Sequence, residues 1–365
     1  DEETPDLLPE RVIDPFHGKA DLARKCIRAV GPSVFRDDPI RLLRSVRLAA
    51  LLGFRLDPET ARMVLADANH ITDPAPERVG AELLAILALD GAKGSMEALD
   101  RLDLLCRIIP ELAETKGVEQ PNAHYWDVWG HTLHAVEGAE RVTKGHQNSP
   151  VFTLVYWTEE TDTYFKQTVS DGHTRRTILK LAALFHDIGK PASKRFSPEQ
   201  GWTFHGHEVI GERMTLKIGK RIHIGKRDLK RLSKLVGLHM RPINLTSEGV
   251  TDSAIRRLMV DCADDIDAQL TLCRADITTA NPKLVDHYLS NFDEMKVRMD
   301  NILAKDKMRD FQSPLRGDEI MKICGIKPGP LVGALKGRIE DAILEGEIPY
   351  DTLAARDYLM KIKDT

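Results

Sequence analysis

The chain has 365 residues, 42% hydrophobic and 30% charged, which excludes intrinsic disorder and allows two or three domains with sizeable cores. Its formal net charge is -4, so overall charge argues neither for nor against nucleic acid, and charge distribution has to decide. The five cysteines, Cys26, Cys106, Cys262, Cys273 and Cys324, are scattered without a CxxC pair, which excludes a disulfide framework or a cysteine zinc site and favours a reducing cytoplasm.

Asp1, rather than a methionine, opens an acidic, loop-like stretch, so the chain is expected to start inside a longer gene product. Val12-Ile13-Asp14-Pro15-Phe16 reads as the last strand of something upstream. From about Cys26 the patterning is helical nearly throughout, and the fold class is mainly α. Asp38 is expected to cap a helix that Pro39 opens, with Leu42, Leu43, Val46, Ala49 and Ala50 as its apolar face and Gly53 as its end. A helix from Pro58 through Ala66 follows, and another starts near Glu77. A loop with Gly117, Pro121 and Asn122 precedes a helix from Trp126 to Val142. Residues Gly145 to His173 break the pattern and read as an insertion or a partly ordered loop between two helices, with Val151 to Val155 as a short strand. Helices resume from Arg175 to Leu303, and a last one spans Val332 to Leu344. No apolar run in the sequence is long enough to cross a bilayer and none reads as a signal peptide, so no membrane partner is expected.

The run Leu184-Phe185-His186-Asp187-Ile188-Gly189-Lys190-Pro191 concentrates chemistry. Ile178, Leu179, Ala182 and Ala183 give the preceding stretch helical apolar spacing, and Gly189 and Pro191 are expected to stop it. A helix end thus delivers an imidazole and a carboxylate together, both good ligands for a divalent ion. Partners come from other helices: His131, Asp276, and two further histidines, His207 and His239. Two imidazoles and two carboxylates leave room for water and substrate in an octahedral shell, which suits Mg, Mn, Fe, Co or Ni better than a closed zinc site. Such an ion acidifies bound water and neutralises a phosphoryl oxygen. Lys190, one turn from His186 and Asp187, is placed to hold another phosphate oxygen. His124, His134, His146, His173, His223 and His287 are expected to be structural or surface residues. Asp264, Asp265 and Asp267 read as a solvated helix start.

Two basic features stand apart. Arg41, Arg44 and Arg47 spread over the helix face opposite the leucines, and three arginines near a helix start suit phosphate. Asp38 and Arg41, one turn apart, can present acceptors and donors to a base edge. Arg213 to Arg241 holds ten Lys or Arg and one acid, Asp228. Within it Lys226, Arg227, Lys230 and Arg231 form a candidate phosphate-tracking surface for RNA.

At its spacing, the set from His131 to Asp276 resembles the HD phosphohydrolase superfamily. The resemblance implies that His131, His186, Asp187 and Asp276 are metal ligands, with His207 and His239 matching the extra histidines of binuclear members. The upstream pieces DPFHGKADL, DDPIRLLRSVRLAALLGF and APERVGAELLAIL look like the neck of class II tRNA nucleotidyltransferases and bacterial poly(A) polymerases. That resemblance places Asp38 and Arg41 at nucleotide-selecting positions and Arg44 and Arg47 at nucleotide-contacting ones. Asp37 stands where a Glu is usual, keeping the charge with a shorter reach. The tail from Ser313 to Pro349 resembles the C-terminal segment of HD-containing members.

The family's catalytic head, with its Gly-rich start and its aspartate pair for Mg, has no match. Asp265 and Asp267 share only the spacing. The implied organisation is the end of a missing head at 1–24, a neck and body at 25–115, an HD phosphohydrolase domain at 116–300 with its insertion near 145–173, and a helical tail at 301–365. The implied partners are tRNA, CTP and ATP, plus a phosphate-ester substrate at a divalent ion (Mg, Mn, Ni or Co), with Mg serving the missing head. Without a head the chain alone is not expected to add nucleotides. A stand-alone HD nucleotide phosphohydrolase and a non-catalytic RNA-binding module remain open alternatives.

Overall fold

The computed structural model describes residues 13–120, 126–144, 157–169, 172–199, 201–245, 250–277, 282–306 and 313–363. The expected strand Val151–Val155, and Pro121 and Asn122 of the expected loop, lie outside the described residues.

The chain is mainly α. Helices α1 (Gly18–Ala23), α2 (Val34–Asp37), α3 (Arg41–Leu52), α4 (Pro58–Ala66), α5 (Pro76–Ala88), α6 (Ala92–Arg101) and α7 (Leu105–Ile108) come first. Among them the short strands β1 (Cys26–Ile27) and β2 (Arg55–Leu56) pair in parallel, Cys26 opposite Arg55. Then follow α8 (Val128–Thr143), α9 (Glu159–Lys166), α10 (Arg175–Phe185), α11 (Lys190–Ser193) and an antiparallel hairpin, β3 (Arg195–Ser197) and β4 (Gly201–Thr203). After the hairpin come α12 (His207–Arg221), α13 (Lys226–Leu238), α14 (Met240–Asn244), α15 (Asp252–Cys262) and α16 (Ile266–Ala275). The chain ends in α17 (Pro282–Asp306), α18 (Gly317–Cys324), α19 (Pro330–Leu344) and α20 (Thr352–Ile362).

Local chemistry sets several of these boundaries. α4 starts where the Asp57 carboxylate accepts the N–H groups of Glu59 and Thr60, with Pro58 in the first turn. Asp127 caps α8 by accepting the Gly130 N–H at 2.8 Å, so α8 begins at Val128 rather than at Trp126. Four expectations need correction. Ile13 to Phe16 is not a strand, because the Asp14 carboxylate accepts the N–H groups of Gly18 (2.6 Å) and Lys19 (2.9 Å) and turns the chain into α1. Asp38 does not cap α3, which begins at Arg41, because the Asp38 carboxylate is drawn to Arg78 of α5. The region between α8 and α10 is not merely a loop, since Thr158 caps the helix α9 within it. Pro191 does not only end what precedes it, since it sits in the first turn of α11.

One continuous apolar core runs from Phe35 of α2 through α3, α5, α8, α10 and α13 to Ala275 of α16. Packing is therefore unbroken across the expected neck boundary near residue 116. Gly80 of α5 shows how close this approach is: a Cβ there would lie 2.0 Å from the Ile222 carbonyl oxygen beyond α12. A second cluster joins Ile255, Leu270, Phe292 and Met299 to Leu344, and a third holds α18, α19 and α20 together through Ile320, Ile339 and Leu359.

A buried polar joint ties the first helices to α8 and α10. Glu140 of α8 accepts the N–H groups of Gly91 (2.8 Å) and Ala92 (2.9 Å) at the start of α6. It also pairs with Lys144 at 2.9 Å and with Lys180 of α10 at 3.1 Å. Burial alone raises a carboxyl pKa, but those donors outweigh it and lower that of Glu140 to about 2. The unfolded chain therefore binds this proton more tightly than the folded one. The stabilisation is complete above about pH 4.5 and is lost as pH falls through about 2. A Glu140→Gln protein is expected to be less stable at neutral pH by roughly 3 kcal/mol. Urea unfolding of both proteins should show the gap closing across that acidic window. A gap independent of pH would exclude the carboxylate as its source.

Candidate metal centre

Six side chains meet where helix ends converge. α10, α13 and α16 each end next to a candidate ligand: His186 and Asp187 follow α10, His239 follows α13 and Asp276 follows α16. His131 lies in the first turn of α8 and His207 opens α12. Gly189 lets the turn after α10 dock on α12, where a Cβ would fall 2.2 Å from the His207 carbonyl oxygen. That approach brings Asp187 beside His207.

The ligand atoms form two groups, His131, His186 and Asp276 in one and Asp187, His207 and His239 in the other. Asp276 Oδ1 lies 2.7 Å from His131 Nε2 and 3.1 Å from His186 Nε2. His207 and His239 face each other Nε2 to Nε2 at 3.1 Å. Asp187, buried, stands between the groups. Its Oδ2 is 3.2 Å from both His131 and His186, and its Oδ1 is 3.3 Å from His207 and 3.9 Å from His239.

The backbone sets the tautomers. His186, His207 and His239 each donate Nδ1–H to the carbonyl three residues upstream, that of Ala183 (2.8 Å), Phe204 (2.8 Å) and Val236 (2.7 Å). Their Nε2 atoms therefore point into the centre. Burial, reinforced by the charge on His186, lowers the His239 pKa to about 3, so its Nε2 carries a lone pair. Burial opposes charge on His186, but Asp187 and Asp276 outweigh it and raise its pKa to about 10. The His131 pKa is raised in the same way, against burial, chiefly by Asp276. Both carboxyl pKa values stay well below the usual range despite burial, with His186 the main charge responsible.

This donor set fits a divalent cation. Asp187 Oδ2 and Asp276 Oδ1 are buried and no imidazole donates to them in hydrogen-bond geometry despite the short distances, while the Lys190 ammonium pairs with Asp187 Oδ2 at 2.7 Å. Atoms arranged in this way converge on a shared point instead of bonding one another. Facing Nε2 lone pairs repel unless a cation or a proton lies between them. The mixture of imidazole nitrogen and carboxylate oxygen suits a first-row transition ion or Mg.

Lys190 does not extend freely. Its Nζ is buried 2.7 Å from Asp187 Oδ2 and donates to Gln120 Oε1 at 2.6 Å. His134 is half-buried between Trp126, Lys93 and Glu137, and His223 sits at the surface beside Glu77.

The neck residues form a second polar face. Arg78 reaches both Asp38 oxygens (3.1 and 3.2 Å), and Arg41 lies 3.9 Å from the same carboxylate. Arg44 and Arg47 both donate to Glu82 of α5, at 2.9 and 2.7 Å. Sequence reasoning missed Arg78 and Glu82. Their one-turn spacing in Pro76-Glu77-Arg78-Val79-Gly80-Ala81-Glu82 was the available signal.

On α13, Lys226, Arg227 and Lys230 are exposed. Arg231 leaves that surface: it is buried and donates to Asp265 (2.6 Å) and Asp228 (3.1 Å). Asp265 is likewise not a solvated residue, since Tyr164 and Arg175 also donate to it.

Paired His and Asp side chains gathered at the ends of packed helices mark an HD-type domain. A family model described as "HD domain" matches residues 128–281, and one described as "Probable RNA and SrmB- binding site of polymerase A" matches residues 53–116. The chain is 31% identical over 346 residues to an A-adding tRNA nucleotidyltransferase of Deinococcus radiodurans, covering 93% of this chain and 71% of the relative. It is 32% identical over 341 residues to a CC-adding tRNA nucleotidyltransferase of Thermus thermophilus, covering 90% and 68%. The chain belongs to this tRNA nucleotidyltransferase family, which also includes poly(A) polymerases, and carries an HD domain. Two solved structures share the fold. The Bacillus stearothermophilus CCA-adding enzyme in complex with CTP superposes with TM-score 0.50 at 18% identity, covering 96% of this chain and 68% of that one. An apo CCA-adding enzyme does so with TM-score 0.53 at 15% identity, covering 97% and 66%. Among the described residues no helix is long and apolar enough to cross a membrane.

Proposed function

We propose that this chain is the neck, body and HD portion of an enzyme adding CMP and AMP to tRNA 3′ ends, and that its HD centre is a metal-dependent phosphohydrolase. In this reading residues 1–24 end a nucleotidyltransferase head whose Mg-dependent chemistry uses CTP and ATP, residues 25–115 form the neck and body, 116–300 the HD domain and 301–365 the tail. Asp38, Arg41 and Arg78 offer acceptors and donors to a base edge, while Arg44 and Arg47, steadied by Glu82, face phosphate. Lys226, Arg227 and Lys230 supply a basic surface for the tRNA backbone. The free cysteines accord with a cytoplasmic setting.

The observation that carries the hydrolytic reading is Asp187 with one oxygen facing each ligand group. His131, His186, Asp187 and Asp276 would hold one ion, and Asp187, His207 and His239 a second. A bound divalent ion supplies Lewis acidity and a more acidic water. The Nδ1–H bonds to backbone carbonyls keep the inward nitrogens basic and fixed in direction. Lys190 holds a positive charge at Asp187 and adds to the attraction for an anionic phosphate ester.

Hydrolysis of 2′,3′-cyclic AMP and 2′-AMP tests this reading, with Mg, Mn, Co or Ni added to EDTA-treated protein. Turnover should require the added ion. Turnover in EDTA, or none with any of these ions, would overturn it.

A further inference from the structure

We propose that the β3–β4 hairpin is a stacking platform that seats the nucleobase of a nucleoside phosphate beside the metal centre, a deepening that rests on the hydrolytic reading above. Phe196 and Trp202 stand directly opposite each other in the hairpin, so their rings share one face. The ring centroids are 5.3 Å apart and the planes cross at 70°. These rings are not core residues: Phe196 is 63% exposed and Trp202 46%. Lys194 places its ammonium 4.6 Å from the Trp202 ring centre. Arg195, opposite Thr203, lies on the other face of the hairpin and donates to the Lys194 carbonyl at 2.8 Å, and Glu199 is the acid among the hairpin's described residues.

The platform leads to the ligands. Phe204 follows β4, and its ring takes the Lys190 ammonium at 5.8 Å. Lys190 in turn lies 2.7 Å from Asp187 Oδ2. Aromatic and cationic groups therefore alternate from the exposed hairpin face to the buried carboxylate. The base of the hairpin is anchored to the same shell. The Phe204 carbonyl accepts the Ser193 hydroxyl at 3.4 Å and also the His207 Nδ1–H at 2.8 Å. About 7 Å of strand separates Trp202 from Phe204, the scale of one nucleotide.

Exposed rings with a lysine ammonium against them are what a base with an attached phosphate recognises. The basic block on α13 has no aromatics, so it offers charge without stacking. The hairpin offers both, next to the centre that would take the phosphate. The shared ligand chemistry is a base-bearing phosphate ester, either a free nucleotide or an RNA 3′ end.

The test compares 2′-AMP with glycerol 2-phosphate, which lacks a base, using wild type, Trp202→Ala and Trp202→Phe with Mn. Trp202→Ala should lower the ratio of kcat/KM for 2′-AMP over glycerol 2-phosphate roughly tenfold, mainly through KM. Trp202→Phe should restore most of that ratio. A second arm needs no hydrolysis. Fluorescein-labelled pentaadenylate binding, followed by anisotropy in EDTA, should weaken roughly tenfold in Trp202→Ala. Displacement of the pentamer by 2′-AMP assigns the platform to free nucleotides, and failure of displacement assigns it to RNA ends. An unchanged ratio together with unchanged pentamer affinity, as expected if the rings contact a protein instead, would overturn the platform. If wild type hydrolyses neither ester, the hydrolytic reading falls while the binding arm still decides the platform.

Discussion

Asp187→Asn is expected to abolish ion binding at both ligand groups, whereas His207→Ala should affect only one. Asp187 is the candidate ligand that the geometry places between both groups. Its Oδ2 faces His131 and His186, and its Oδ1 faces His207 and His239. Replacing it by the neutral amide removes the anion between four imidazoles and leaves the buried Lys190 ammonium with Gln120 and the Phe204 ring but no countercharge from Asp187. Outer partners of metal ligands change affinity by about 10–100-fold, so a bridging ligand should cost at least about a hundredfold. Elemental analysis of dialysed protein and calorimetric titration with Mn or Ni read this directly. Hydrolysis of 2′,3′-cyclic AMP should fall with binding. Far-UV circular dichroism should show the helices retained, since the apolar core does not depend on the site. An Asp187→Asn protein that binds ions as wild type does would sink the bridging role.

The reach of sequence reading followed the range of the interactions involved. α4 was legible because Asp57 and Pro58 carry its start within two residues. The grouping of His131, His186, Asp187 and Asp276 was legible through the resemblance to the HD superfamily, since helical apolar spacing fixes where a side chain emerges but not which distant helices meet. The start of α3 was not, because Asp38 answers to Arg78, 40 residues away. The burial of Arg231 was not, because its countercharge Asp265 lies 34 residues on. The hairpin escaped notice because its strands have only three residues each, too few for an alternating pattern to register. Yet it places Phe196 and Trp202 on one face, which neither residue announces alone. Local caps and apolar periodicity are properties of a window. Ion pairs between distant helices are properties of the packed fold.

Lys180→Met is expected to cost about 3 kcal/mol of stability, more than a surface lysine could. Lys180 is 1% exposed and stands on α10, six residues before His186, where the turn bearing the candidate ligands begins. Its ammonium donates to the carbonyls of Leu87 (2.9 Å) and Leu89 (2.8 Å) at the end of α5, and pairs with Glu140. Burial pulls the Lys180 pKa down, while Glu140 holds the charge in place. Methionine fills the stem but leaves two helix-end carbonyls without this donor. Glu140 keeps Gly91, Ala92 and Lys144, which is why the cost falls at the lower end of the range for breaking a buried pair. The change in Tm should be a fall of roughly 4 °C. Because the two groups touch, Lys180→Met and Glu140→Gln should not add: the double variant is expected to be more stable than the sum of singles implies, by about 1 kcal/mol. Strict additivity in urea unfolding would show that the lysine acts through the α5 carbonyls alone. A neutral Lys180→Met would show that an apolar side chain serves equally well here, and that the joint between α5, α8 and α10 is held by the shared core.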